Sequence, residues 1–161
     1  MKAAILVILL TAAAVAMIPV TSANACTCVL PVTPEEAYNE ADAVFRGFAL
    51  GYTQVDSQMK LFNFLVMGQW KGNVPQLVSV YTPDNGAGCG YEFDYYPDPT
   101  EFLVYAENSG DPNYPGLFTH LCTRNAPAWS AQEDLDWLGP ASGPVPLEVL
   151  SWGVVKKRYE E

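Results

Sequence analysis

Two of the four cysteines in this sequence, Cys26 and Cys28, are separated by a single residue, Thr27, and follow directly on Ala23-Asn24-Ala25. If the chain is cut after Ala25, Cys26 becomes the first residue and presents a free α-amine beside its own carbonyl oxygen. Two such donors on one residue can grip a metal ion from two sides. An α-amine has a pKa of about 7.7–8.0, so a useful fraction is unprotonated near neutral pH. Coordination enlarges that fraction, because metal ligands bind without their proton. A catalytic zinc keeps one position open for water, and displacing that water removes the nucleophile. The expectation is that this chain end plugs the metal site of another protein.

That chemistry needs the cut. Residues 1–25 read as an export signal: Lys2 supplies the positive start, Ala3 to Val20 is an apolar run interrupted only by Thr11 and Pro19, and Ala23-Asn24-Ala25 is an A-x-A cleavage site. Two other readings compete. The run approaches the length of an uncleaved anchor, which Pro19 and the small residues after it disfavour. A cysteine after the cut also suggests a lipid-modified N-terminus, but Ala23 stands where such a signal carries leucine. The expected organisation is a signal over 1–25, one domain over 26–139 and a tail over 140–161, in a secreted, extracellular or periplasmic protein.

Composition narrows the partners. Half of the residues are hydrophobic and 12% are aromatic, enough for a packed core. The net charge is −10. Residues 1–25 hold one lysine and no acid, so the remainder carries −11. Such a surface repels nucleic acid and anionic membranes, and keeps an exported monomer soluble. Export also means an oxidising compartment, where four cysteines form two disulfides. A Cys26–Cys28 bridge would close a small strained ring. Long-range bridges from Cys26 and Cys28 to Cys89 and Cys122 fit better, each worth about 4 kcal/mol in chain entropy.

Enzymatic chemistry is not expected. His120 is the one histidine, and a partly buried, hydrogen-bonded role suits it better than catalysis. No nucleophile elbow, Walker loop or H-E-x-x-H stretch occurs. Gly86-Ala87-Gly88-Cys89-Gly90 has the glycines of a phosphate loop but neither the lysine nor the helix after it. With all four cysteines bridged, the chain has no zinc site and no cofactor of its own. Phe62, Phe64 and Trp70 read as core rather than as a base-stacking platform.

The elements that would carry the chain end follow from pattern. Pro31 keeps the stretch after Cys28 extended. Thr33-Pro34-Glu35-Glu36 is a helix start with a capping box, and the helix runs to about Ala41. Strands are expected from Ala43 to Tyr52, from Lys60 to Trp70 (Phe62, Phe64, Val66 and Gly68 on one face), from Gln76 to Thr82, from Glu101 to Glu107 and from Leu117 to Leu121. Lys71-Gly72-Asn73 is a turn. Ser130 with Glu133 predicts a second capping box and a helix to Leu138, stopped by Gly139 and Pro140. Five strands with short helices and long loops suggest a mainly β fold, a small Greek-key barrel of the oligonucleotide/oligosaccharide-binding (OB) shape, although a sandwich gives similar periodicity. The tail opens on Pro144 and Pro146, ends in Lys156-Lys157-Arg158, and reads as a loosely packed terminus.

With these residues in view, the sequence resembles the tissue inhibitors of metalloproteinases. The likeness starts at Cys26-Thr27-Cys28-Val29 and continues through Asp42-Ala43-Val44-Phe45-Arg46, Trp70-Lys71-Gly72 and Val80-Tyr81-Thr82-Pro83. It then takes in Cys89-Gly90-Tyr91, Glu101-Phe102-Leu103-Val104, Cys122 and Ala128-Trp129. It departs at Asn39, where the family has a further cysteine, and at Leu30, where it has proline. The resemblance implies a netrin-like module on a five-stranded OB-like barrel, with bridges Cys26–Cys89 and Cys28–Cys122. It implies inhibition of a zinc metalloendopeptidase by a wedge in which Cys26 chelates the target's zinc through its amine and carbonyl. Thr27 would enter the pocket for the residue after the scissile bond. Cys28, Val29 and the loop before Cys89, including Ala87 and Gly88, would line the rest of the cleft. The alternative is a netrin-like binding or scaffold module that keeps the fold and does not inhibit.

Overall fold

The computed structural model describes residues 33–84, 89–93 and 100–143. The first element is helix α1, Pro34–Glu40. Its start is built as the sequence predicts. Thr33 Oγ1 accepts from the Glu36 amide at 3.2 Å, the Glu36 carboxylate accepts from the Thr33 amide at 3.1 Å, and Pro34 takes a first-turn position.

Six strands follow: β1 Ala43–Gln54, β2 Met59–Lys71, β3 Leu77–Pro83, β4 Glu101–Asn108, β5 Leu117–Phe118 and β6 Ala126–Pro127. The structure is mainly β, with one six-stranded mixed sheet. A short 3₁₀ turn, Ala128–Ser130, and helix α2, Gln132–Leu138, close the described chain. Strand β1 pairs antiparallel with β2 along its length and with β4 over Ala43–Phe48. From β2 the pairings pass to β3, from β3 to β5 and from β5 to β4. Only the β3–β5 contact is parallel, and β6 adds to β4.

Strand β4 is covered on both faces, which explains why Phe102 to Ala106 reads as a continuous apolar run rather than an alternation. In β4, Phe102, Val104 and Ala106 join one buried cluster with Phe45, Phe62, Phe64, Val66, Val80 and Phe93. Their neighbours Leu103 and Tyr105 point the other way, into a second cluster with Val44, Ala37, Ala41 and Ala131. The first is the aromatic core: Phe64 meets Phe45 and Phe93 edge-on at 5.6 and 4.9 Å between ring centres. Phe93 also meets Phe62 and Phe102, both at 5.1 Å. The second cluster seats the helices. Between the hairpin strands, Gly47 lies where a side-chain carbon would come within 2.7 Å of the Leu65 carbonyl oxygen.

Four expectations change. The fifth strand is Leu117–Phe118 alone. Beyond it, Thr119 turns its hydroxyl to the Tyr105 carbonyl at 2.8 Å, and the Thr123 amide closes onto the His120 carbonyl, so the chain turns where alternation predicted extension. The second capping box does not form. Ala128–Ser130 coils as a 3₁₀ turn, so the residue before α2 is Ala131, Ser130 Oγ donates to the Pro127 carbonyl, and Glu133 faces Arg124. Strand β6 was not expected, because its two residues include a proline, which suits only a sheet margin. Residues 140–143, placed in the tail by the sequence, are tied to β2: Gln69 and Ser142 exchange both backbone bonds at 2.9 Å, and the Gln69 side-chain amide donates to the Gly143 carbonyl at 3.0 Å.

Helix α2 is locked to β4 by polar groups. The Tyr105 hydroxyl donates to Asp134 Oδ1 at 2.8 Å, and Arg124 forks onto both Asp134 oxygens at 2.9 and 2.7 Å. Tyr105 is 1% exposed. Burial, then the Asp134 carboxylate, pushes the phenol well above its ordinary 10.0. A proton held more tightly in the folded state stabilises that state fully at pH below the unfolded pKa of about 10, and this contribution is lost as pH rises from there through the raised folded value. Tyr105→Phe should therefore lower stability at pH 7 by about 1–2 kcal/mol and flatten the fall between pH 9 and 11, as measured by urea unfolding across pH.

Candidate functional site

The two described cysteines, Cys89 and Cys122, come together beyond the end of β3. Neither is a free thiol; both are in the disulfide state. The Leu121 amide donates to the Cys89 carbonyl at 2.6 Å, so the segments bearing the two sulfurs run side by side.

Each segment is held by its own set of contacts. On the Cys89 side, Thr82 is fully buried, and its hydroxyl accepts from the Tyr91 amide at 2.9 Å and reaches the Tyr91 carbonyl at 3.4 Å. Gly90 is pressed on Pro83: a side-chain carbon at Gly90 would fall 1.6 Å from the Pro83 carbonyl oxygen. Cys89 itself has φ +56°, a left-handed backbone that a non-glycine residue adopts only at a cost of roughly 1–2 kcal/mol. The Tyr81-Thr82-Pro83 and Cys89-Gly90-Tyr91 blocks are thus one clasp: hydroxyl, proline and glycine each close it at one point.

On the Cys122 side, the turn is held by a buried polar network. Asn125 is 8% exposed; its amide nitrogen donates to Thr119 Oγ1 at 2.7 Å and its oxygen accepts from the Tyr105 amide at 2.8 Å. Thr123 Oγ1 lies 3.0 Å from Thr119 Oγ1 and donates to the His120 carbonyl at 2.8 Å. His120 Nδ1 accepts from the Cys122 amide at 3.1 Å, which leaves the ring proton on Nε2, 3.7 Å from Glu107 Oε1. The Nδ1 bond makes His120 one of the groups that position Cys122. A cleft of about 130 Å³ opens between α1 and this turn, bounded by Glu40, Glu107, His120, Cys122 and Arg124. No cluster of three metal-ligating side chains occurs among the described residues.

Of the residues singled out from sequence, Cys26, Thr27, Cys28, Val29, Ala87 and Gly88 lie outside the described residues, as does the signal over 1–25. Phe62 and Phe64 are fully buried core and Trp70 is half-buried. Sequence reasoning missed the supports: Thr82, Gly90, Thr119, Thr123 and Asn125. The contacts that fix Thr82, Thr119 and Asn125 reach 9, 14 and 20 residues along the chain, beyond any local periodicity. The one available signal was the density of small polar residues from Thr119 to Asn125, too rich for a plain strand.

The chain matches no protein-family model and no curated protein.

Gly90 gives the sharpest test of the clasp. Gly90→Ala should force residue 90 and Pro83 apart, cost about 2–4 kcal/mol in urea unfolding and shift the amide resonances of Thr82 and Tyr91. Ala substitution at Gly110, where a side-chain carbon would meet nothing within 4 Å, carries only the cost of its positive φ and should leave those resonances in place.

Proposed function

We propose that this chain is a secreted inhibitor of a zinc metalloendopeptidase, in which the α-amine and carbonyl of a mature N-terminal Cys26 occupy the open coordination position of the target's zinc. One observation carries the reading: the 2.6 Å bond from the Leu121 amide to the Cys89 carbonyl, which sets two disulfide-state cysteines on neighbouring segments. A Cys-x-Cys segment spans at most about 7 Å between its two α-carbons. It can be stapled twice only to cysteines that lie close together, and Cys89 and Cys122 offer such a pair. The pairing proposed is Cys26–Cys89 and Cys28–Cys122.

The strand pairings support the architecture that goes with it. Passing from β1 through β2, β3, β5 and β4 back to β1 returns to the start, with the single parallel contact between β3 and β5. We read this cycle as a five-stranded Greek-key barrel of the OB type, the netrin-like module, with β6 added at the margin.

In the proposed mechanism the staples hold Cys26 rigid, so little conformational entropy is lost on docking. Its amine enters unprotonated, its carbonyl oxygen completes the grip, and the water that would attack a peptide is expelled. Thr27 fills the pocket next to the zinc, and Cys28, Val29, Ala87 and Gly88 cover the flanks. Inhibition then weakens below the amine's pKa of about 7.7–8.0, as the proton competes with zinc.

The test is the N-terminus itself. N-terminal sequencing and intact mass of the exported protein should give Cys26 as residue one, unacylated, with both disulfides formed. Adding one alanine ahead of Cys26 should reduce inhibition of zinc metalloendopeptidases by more than a hundredfold, the loss of a direct metal ligand, with unchanged thermal unfolding. Equal potency of the extended form would exclude chelation and leave the non-inhibitory binding module as the reading.

A further inference from the structure

Lys60 stands where the β2 pattern calls for an apolar residue. It shares one face of the strand with Phe62, Phe64 and Val66, each 1% exposed or less, and is itself 8% exposed. An ammonium is costly to bury unless paired. Here it is paired twice, and its two partners belong to different segments. Nζ lies 2.8 Å from Glu92 Oε2 and 3.5 Å from Asp84 Oδ1, with the Tyr52 ring centre 4.9 Å away.

Each acid directly follows one block of the clasp that carries Cys89, Asp84 after Tyr81-Thr82-Pro83 and Glu92 after Cys89-Gly90-Tyr91. Asp84 follows β3 directly; its amide donates to the Gln58 carbonyl at 2.7 Å and its other carboxylate oxygen accepts from Gln54 Nε2 at 2.9 Å. Glu92 comes three residues after Cys89 and precedes Phe93, a fully buried ring of the aromatic core. Without the cation, two partly exposed carboxylates would face each other across the base of the clasp and repel. The carboxylates in turn favour the charged form of Lys60, against the opposing effect of burial.

We propose that Lys60 is a positioning residue for target engagement: one buried ammonium draws Asp84 and Glu92 together and so sets how Cys89, and the chain end stapled to it, are presented. The inference rests on the inhibitory reading for its consequence but not for its geometry. It assigns a role in presentation to a side chain more than twenty residues from either cysteine.

Amide hydrogen exchange decides it without any protease. Lys60→Met keeps the length and removes the charge. Losing the charge-assisted bonds should speed exchange at the Asp84 and Tyr91 amides roughly tenfold by easier local opening, with the β4 amides of Leu103 and Val104 unchanged. Lys60→Arg should restore slow exchange, and Glu92→Gln should give the same pattern at smaller size if Lys60→Met does not fold. Equal acceleration at all four amides would make Lys60 a general stabiliser, and no change at Asp84 and Tyr91 would end the clamp; either overturns the proposal. Inhibition by Lys60→Met is the second arm. It should weaken roughly tenfold, the same free energy read as affinity. Unchanged potency beside faster exchange would refute the presentation role. Absence of inhibition in the unaltered protein would refute the inhibitory reading instead, with exchange still judging the clamp.

Discussion

Gly90 lies against the carbonyl of Pro83 so closely that no other residue fits without moving one of them. From that contact the geometry of the candidate site spreads in both directions. It brings Tyr91 within reach of the Thr82 hydroxyl, directs Phe93 into the aromatic core, and leaves the Cys89 carbonyl facing the Leu121 amide. The left-handed backbone at Cys89 is strain of the kind that persists only when its surroundings over-determine it. Here the surroundings are a buried hydroxyl, a proline, a lysine clamp and a disulfide, all within a few residues.

The two cysteine segments are supported by opposite means. Cys89 is fixed by close packing and charge. Cys122 is fixed by a chain of hydroxyl and amide bonds through Thr119, Thr123 and Asn125 down to the backbone of Tyr105. Tyr105 also reaches Asp134 through its phenol, so one residue of β4 ties the Cys122 turn to α2. No side-chain polar atom among the described residues is buried without a hydrogen-bond partner, the condition under which such a network rigidifies rather than weakens a core.

Much of this fold was legible in the residues, and the failures are instructive. The first four strands and α1 came from local signals, alternation in β2 and the Thr33–Glu36 box, which act within a few residues. The fifth strand was read too long because Thr119 and His120 suit extension, while the bonds that turn them come from β4 and from Thr123. The start of α2 was misread because Ser130 and Glu133 have the right spacing for a box, yet Glu133 has a competing partner in Arg124. In the candidate site, the cysteines and their spacing were visible. Their supports were not, since Thr82, Lys60 and Asn125 act on partners that only folding brings near.

Charge ties these local devices to the behaviour of the whole molecule. Every basic side chain among the described residues is engaged internally. Arg46 pairs with Glu101 at 3.6 Å, Lys60 with Asp84 and Glu92, and Arg124 with Glu133 and Asp134. Lys71 Nζ donates to the Tyr38 carbonyl at 2.7 Å. Among the described residues the acids therefore outweigh the cations in the field presented outward, in a chain of net charge −10. A partner whose contact rim is positive is attracted over a Debye length of about 10 Å and meets this surface faster at low salt. The chelation proposed at Cys26 is short-ranged and acts after encounter. The two contributions separate in kinetics, because screening changes the association rate while the metal bond governs departure. On this reading, selection among zinc enzymes rests on the charge of their rims as well as on their shared metal.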